Sequence, residues 1–317
     1  MSFAALLTVV PSAALVSTNF AARASPRVAL SAAPRVAFRN AAPAMLEPVA
    51  AVSLLRGGAT AAALPSVPAL AVAALLPTCL GFWKTGYAVS YGYGGAIALC
   101  ALLTLGADGG LSALASTHAL ALVFYGVRLC LFLLYRELIL PEKYNQMLSR
   151  DATLKERLKR APVIVGCSLL YFCMAAPLRV TALAAAAPQS ATTAVKLAFA
   201  GFGLAAVGDA YKSVAKKLKG ADHLVTGGPF AVLRHPNYTG ELFGWTASTA
   251  AALLAGGASA PWLVAVALGW VGILFVLAGE ATAGLEKKQK EKYGGDARYE
   301  AWVKRTWAGP MLNIGMA

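Results

Sequence analysis

The sequence predicts an all-α, polytopic integral membrane protein, a bundle of about six to seven transmembrane helices. Three observations predict it: an apolar composition, apolar runs that are continuous rather than alternating, and basic residues confined to alternate loops. Of the 317 residues 58% are hydrophobic and only 13% are charged, whereas a soluble domain carries about a quarter charged residues. A chain this apolar cannot cover its surface with polar groups in water, so the bilayer must act as solvent. In hydrocarbon every backbone N–H and C=O needs an internal partner, which leaves helices and closed barrels as the only spanning structures. Continuous rather than alternating apolar runs select helices.

The first element is a leader. Residues 1–46 contain no acid, and the first is Glu47. Phe3–Val16 is a short apolar run like a signal-peptide core. Arg23, Arg27, Arg35 and Arg39 follow among Ala, Ser and Pro, as in a transit peptide. The two parts together, with Phe20 between them, resemble leaders that carry proteins into plastids bounded by several membranes. Residues 1–60 are therefore read as a targeting segment and linker, and 61–317 as the membrane domain. The expected location is a plastid membrane, with the endoplasmic reticulum or a mitochondrial membrane as the alternative.

Seven apolar segments come next: Ser66–Phe82, Gly92–Leu105, His118–Leu138, Ala161–Leu178, Thr193–Asp209, Glu241–Ala255 and Pro261–Ala278. The second is short against the roughly 20 residues that a spanning helix needs. Lys143, Arg150, Lys155, Arg157, Lys159 and Arg160 follow the third segment, and Lys212, Lys216, Lys217 and Lys219 follow the fifth. Lys287, Lys288, Lys290, Lys292, Arg298, Lys304 and Arg305 follow the seventh. Two segments separate each basic region from the next, so all three share one side, while the opposite loops hold one basic residue between them, Arg179. This is the positive-inside pattern. It puts the C-terminus on the cytosolic or stromal side and the start of the membrane domain on the other.

The same placement explains the formal net charge of +14. The basic residues lie between apolar runs, which fits contact with anionic headgroups and an anionic cofactor rather than nucleic acid. The five cysteines, Cys79, Cys100, Cys130, Cys167 and Cys173, all fall in apolar stretches without CxxC spacing and read as small buried hydrophobes. No metal-ligand spacing occurs, and no GxGxxG follows a strand.

The richest stretch is Gly227–Glu241, GGPFAVLRHPNYTGE. Pro236 suits the first turn of a helix. Asn237 and Glu241 then share a face, as do Arg234 and Tyr238. Arg234 and His235 add donors to the free N–H groups of a helix start, a place for a phosphate-bearing ligand. The bland alternative is a headgroup-level cap in which Arg234 snorkels and Tyr238 joins an aromatic belt. Among single residues, Asp209 ends an apolar run and, if not a ligand contact, pairs with Lys212 or a basic loop residue, His118 caps the third segment, and His223 lies in a loop.

Arg234-His235-Pro236-Asn237-Tyr238-x-Gly240-Glu241 resembles the signature of the steroid 5α-reductase-like membrane proteins, including their DUF1295-type relatives of unknown substrate. Gly201–Asp209, Arg128-Leu129 with Arg136, Leu285–Lys288, and Tyr299-x-x-Trp302-x-Lys304-Arg305-Thr306 with Pro310 extend the resemblance over about residues 118–310. The chain departs from that pattern at Ala205, where the family commonly has glutamate, and at Lys212, where it often has glutamine.

The resemblance implies an NADPH-dependent reductase of a double bond in a hydrophobic, lipid-like substrate. It makes Asp209, Arg234, His235, Asn237, Tyr238 and Glu241 cofactor-binding residues. An enone carbonyl needs a proton donor, and Tyr135 and Glu137, at the end of the third segment, are the catalytic candidates. Gly228-x-Phe230-x-x-x-Arg234-His235-Pro236-x-Tyr238 also fits the membrane methyltransferases of the isoprenylcysteine and phospholipid type, which bind S-adenosylmethionine. Their paired tail glutamates are here Leu285-Glu286-Lys287. A third possibility is a non-catalytic, lipid-associated scaffold that has kept the fold.

Overall fold

The computed structural model describes residues 64–107, 110–139 and 153–311, and the expected leader lies outside them. The described residues are helical apart from short connections and one isolated bridge, Leu233 to Trp307. In chain order the helices are α1 (Val67–Thr78), α2 (Leu80–Trp83), α3 (Thr85–Val89), α4 (Tyr91–Leu105), α5 (Ala113–Ile139), α6 (Leu154–Leu158), α7 (Ala161–Leu183), α8 (Gln189–Lys219), α9 (Pro236–Ala255), α10 (Ala260–Leu274), α11 (Thr282–Tyr293) and α12 (Ala297–Arg305). A 3₁₀ turn, Gly228–Ala231, precedes α9, and a π-helical segment, Phe275–Ala281, joins α10 to α11.

Among the described residues, five helical stretches are long and apolar enough to cross a bilayer: Thr85–Leu105, Ala113–Ile139, Leu154–Leu183, Gln189–Lys219 and Ala260–Tyr293. The short second segment of the sequence gains its length from α3, which adjoins α4. Val67–Trp83 is shorter and carries Pro77, with a break at Cys79. The sixth predicted segment forms a 20-residue helix, α9, with too many polar side chains to match a lipid-facing span. One face packs into the bundle, where Pro236, Gly240, Glu241, Gly244, Trp245 and Ser248 are buried, and the other leaves Phe243, Leu253 and Leu254 exposed.

Helix α5 begins five residues before the predicted start, because Ser112 caps it, its Oγ accepting from the Ala115 N–H at 3.2 Å. His118 therefore does not cap the helix, as the sequence suggested. It is fully buried, with Nδ1 3.0 Å from Thr181 Oγ1 and Nε2 2.8 Å from Ser248 Oγ, and it links α5, α7 and α9. Hydrophobicity placed the segment's start at the first long apolar run, whereas the local cap placed it earlier.

The helix ends sort into two sets. At one end Arg160 Nη1 donates to the Gly81, Phe82 and Trp83 carbonyls, Lys84 meets Glu137, and the tail residue Glu286 holds Arg234. At the other end Arg179 Nη1 donates to Pro65 O at 2.7 Å and its guanidinium lies over the Trp262 ring. The basic loop before Arg234 and the basic tail touch each other, as one-sided charge requires.

Small residues set the helix spacing. A Cβ at Gly201 would lie 2.6 Å from Gly244 N, and one at Gly240 would lie 2.6 Å from both Ala205 N and Gly201 O. The backbones of α8 and α9 are thus in direct contact, the close approach that small-xxx-small pairs permit in membranes. Ala205 is fully buried in this seam. A second seam joins α4 to α5, where a Cβ at Gly126 would meet Gly94 O at 2.3 Å.

Candidate functional site

The α8–α9 seam brings the polar residues of three helices together. Pro236 opens α9, with His235 as its N-cap, so Asn237 and Glu241 project from one face as their spacing predicts. That face meets Asp209 of α8 and Arg128 of α5. Arg128 Nη1 donates to Asp209 Oδ2 at 2.8 Å, and Asn237 Nδ2 donates to Asp209 Oδ1 at 3.1 Å. Arg128 Nη2 lies 3.5 Å from Glu241 Oε1, an ionic contact without hydrogen-bond geometry. Tyr125, one helical turn before Arg128, donates its O–H to Glu241 Oε2 at 2.9 Å. Asp209 pairs with Arg128 rather than with the adjacent Lys212, although Lys212 and Arg136 both add positive potential at its carboxylate.

This cluster is buried but not internally complete. Arg128 Nε and Nη2 and Asn237 Oδ1 are shielded from solvent without a hydrogen-bond partner. Such groups cost about 1–3 kcal/mol each when left unpaired. Two donors and one acceptor of the cluster are thus left with unmatched hydrogen-bonding capacity.

On its membrane-interior side the cluster rests on aromatic rings. Tyr125 packs against Phe202 at 4.6 Å, Trp245 at 5.1 Å and Tyr93 at 5.4 Å. Trp245 Nε1 donates to Tyr93 Oη at 2.7 Å, and Tyr93 stacks on Tyr171 at 5.1 Å. These rings make an apolar wall beside a buried carboxylate and phenol.

Arg234 and His235 face a different partner. Arg234 Nε donates to Glu286 Oε1 at 2.9 Å, and its Nη1 donates to the carbonyls of Val303 and Thr306 at 3.0 and 2.5 Å. His235 Nε2 lies 2.5 Å from the same Glu286 oxygen. Burial pushes the His235 imidazole below its ordinary value, and the Glu286 carboxylate partly offsets this. The Tyr238 ring lies beside the His235 ring, centroids 6.2 Å apart, and Arg234 precedes the N-cap, outside the helix whose face the spacing assumed. Gly228, at φ 57°, lies under the Tyr211 ring, where a Cβ would come within 2.6 Å.

Tyr135 and Glu137 are not part of the Arg128 cluster. Tyr135 is 39% exposed. Glu137 lies nine residues beyond Arg128, roughly 13 Å along the helix. It accepts from the hydroxyls of Tyr87 and Tyr91 and pairs with Lys84 at 3.3 Å. The sequence reading missed Tyr125 as a site residue and missed the Lys84–Tyr87–Tyr91 group. Tyr125 had a signal available: it stands three residues before an arginine inside an apolar run, where a charge is costly without a function. Tyr87 had none, because its partner is 50 residues away.

The fold and this cluster define a polytopic helical membrane protein with a buried ionic site at the head of an internal helix. Residues 84–306 match the family described as protein of unknown function (DUF1295), and the chain belongs to that family. No curated protein and no solved structure matches it.

Proposed function

We propose that the chain is a membrane-embedded, NADPH-dependent reductase of a carbon–carbon double bond in an apolar, lipid-like substrate. The observation that carries this reading is the incomplete cluster at the head of α9. Asn237 Oδ1 needs a donor, and Arg128 Nε and Nη2 need acceptors. A dinucleotide with a carboxamide and phosphates offers both, and it is an anion that can reach the site only from the basic, aqueous side. The family resemblance of the Arg-His-Pro-Asn-Tyr-x-Gly-Glu stretch points the same way.

In this reading Asn237, Arg128 and Asp209 hold the nucleotide, Tyr238 packs against it, and Glu241 closes the inner end. The bound nucleotide supplies a hydride to one carbon of the double bond. The balancing proton belongs to Tyr125, whose O–H Glu241 orients. The Arg128 guanidinium, 5.0 Å from the Tyr125 ring centroid, favours the phenolate left behind. The aromatic wall of Phe202, Trp245 and Tyr93 keeps water from the reacting carbon. Tyr125 suits the donor role better than Tyr135 or Glu137, because it touches the cluster and they do not.

The test is thermal stabilisation of the detergent-purified full chain by NADPH and, separately, by S-adenosylmethionine. A ligand at 100 times its dissociation constant adds about 2.7 kcal/mol. A shift with NADPH alone, lost in Tyr238→Ala, is the expected result. A shift with S-adenosylmethionine alone assigns the site to methyl transfer, and no shift with either leaves the scaffold reading.

A further inference from the structure

The C-terminal arm, α11 and α12 with residues 306–311, meets the start of α9 through one carboxylate, Glu286, and through a set of backbone and indole hydrogen bonds. Glu286 Oε1 receives both Arg234 Nε and His235 Nε2. Arg234 continues to the Val303 and Thr306 carbonyls, its own N–H donates to Trp307 O at 2.8 Å, and Trp307 N–H returns to Val232 O at 3.1 Å. Trp302, fully buried, donates Nε1 to Phe230 O at 2.6 Å. The loop before α9 and the arm are therefore laced along residues 230–235. His235 is the N-cap of α9, and the next two side chains in the chain that matter, Asn237 and Tyr238, follow within one turn.

The arm can turn. It leaves α10 through the π-wound segment Phe275–Ala281, and Thr282 Oγ1 donates to Leu277 O, five residues back, at 2.8 Å. Such segments are rare and recur at functional sites. Gain or loss of one residue of register there rotates α11 by about 100°, enough to carry Glu286 away from Arg234 and His235.

We propose that Glu286 is a positioning residue for the nucleotide site: through Arg234 and His235 it fixes the first turn of α9, and the arm that bears it is a clamp on that turn. Arg234 and His235 are then not phosphate ligands but the handle by which Asn237 and Tyr238 are aimed. The proposal rests on the reductase reading for the identity of the ligand but not for the clamp itself.

Two measurements on the detergent-solubilised full chain test it. The first is NADPH titration by tryptophan fluorescence in wild type, Glu286→Ala, Glu286→Gln and Lys292→Ala. Misaiming of the binding turn weakens affinity about tenfold or more in Glu286→Ala. Glu286→Gln falls between, because its amide oxygen still accepts from Arg234 without the charge. Lys292→Ala, on the same helix but paired with Asp222 at the surface, matches wild type. The second is amide hydrogen exchange without nucleotide, which rises over residues 232–241 in Glu286→Ala and less in Glu286→Gln. Equal NADPH affinity in wild type and Glu286→Ala overturns the proposal. If wild type does not bind NADPH, the reductase reading fails instead, and unchanged exchange over residues 232–241 then overturns the clamp. If Glu286→Ala does not fold, Glu286→Gln decides both measurements.

Discussion

Glu241 and Glu137 are both carboxylates held by tyrosine hydroxyls and a cation against helix α5, with side chains 8% and 23% exposed. Around Glu137 the account closes: Tyr87 and Tyr91 donate, Lys84 supplies the charge and bonds Tyr87 Oη at 3.0 Å, and no buried atom of the group is left without a partner among the described residues. Around Glu241 it does not. Tyr125 donates, but Arg128 approaches only to 3.5 Å and leaves Nε and Nη2 without a hydrogen bond, as Asn237 leaves its oxygen. The outer group is a lock between α3, α4 and α5. The inner group keeps unmatched hydrogen-bonding capacity where burial makes that costly.

The sharpest way to break this comparison is to remove one cation from each group. Arg128→Met leaves Asp209 and Glu241 as buried carboxylates without their counter-charge and costs about 3–5 kcal/mol. Lys84→Met removes a rim cation and costs about 1 kcal/mol or less. Thermal unfolding of both variants in detergent checks the order, and equal losses would erase the distinction. A smaller effect comes from the seam beneath the inner group alone. Gly240→Val drives a side chain into the α8 backbone and costs about 1–3 kcal/mol, with loss of NADPH stabilisation, because Asn237 no longer reaches Asp209. A variant that kept full ligand stabilisation would show that the seam does not set the site.

The smallest effect is with pH. His235 has its imidazole held below the ordinary value by burial, so the unfolded chain binds the proton more readily than the folded one. The His235 contribution to stability is therefore fully present above about pH 6.5 and is lost as pH falls through that value. Thermal midpoints between pH 8 and 5 read this, and the decline is reduced in His235→Gln, whereas Lys84→Met leaves it unchanged.

The basic loops and the start of α9 could be read from residues alone. Charge segregation is a one-dimensional property, and Pro236 marks a helix start wherever it falls in the bundle. Asn237 and Glu241 could likewise be put on one face by counting. What they face could not be counted. Asp209 invited pairing with Lys212 three residues on, yet its partner is Arg128, 81 residues away. Arg234 could be placed beside a helix start, but its contacts to Glu286, Val303 and Thr306 in the tail, 52 to 72 residues away, could not. His118 looked like a cap and is a core histidine, because its partners Thr181 and Ser248 lie 63 and 130 residues distant.

Composition and order of residues by themselves determined that this is a helical membrane bundle with one basic side and a polar helix head on that side. A bilayer permits few other outcomes, since each backbone polar group must be satisfied within its own helix and each cation kept near water. Only the tertiary structure decided which charges meet and which buried atoms stay without a hydrogen bond. Those depend on the glycine seams that bring α8 and α9 into backbone contact, and a contact between two helices is written in neither one alone.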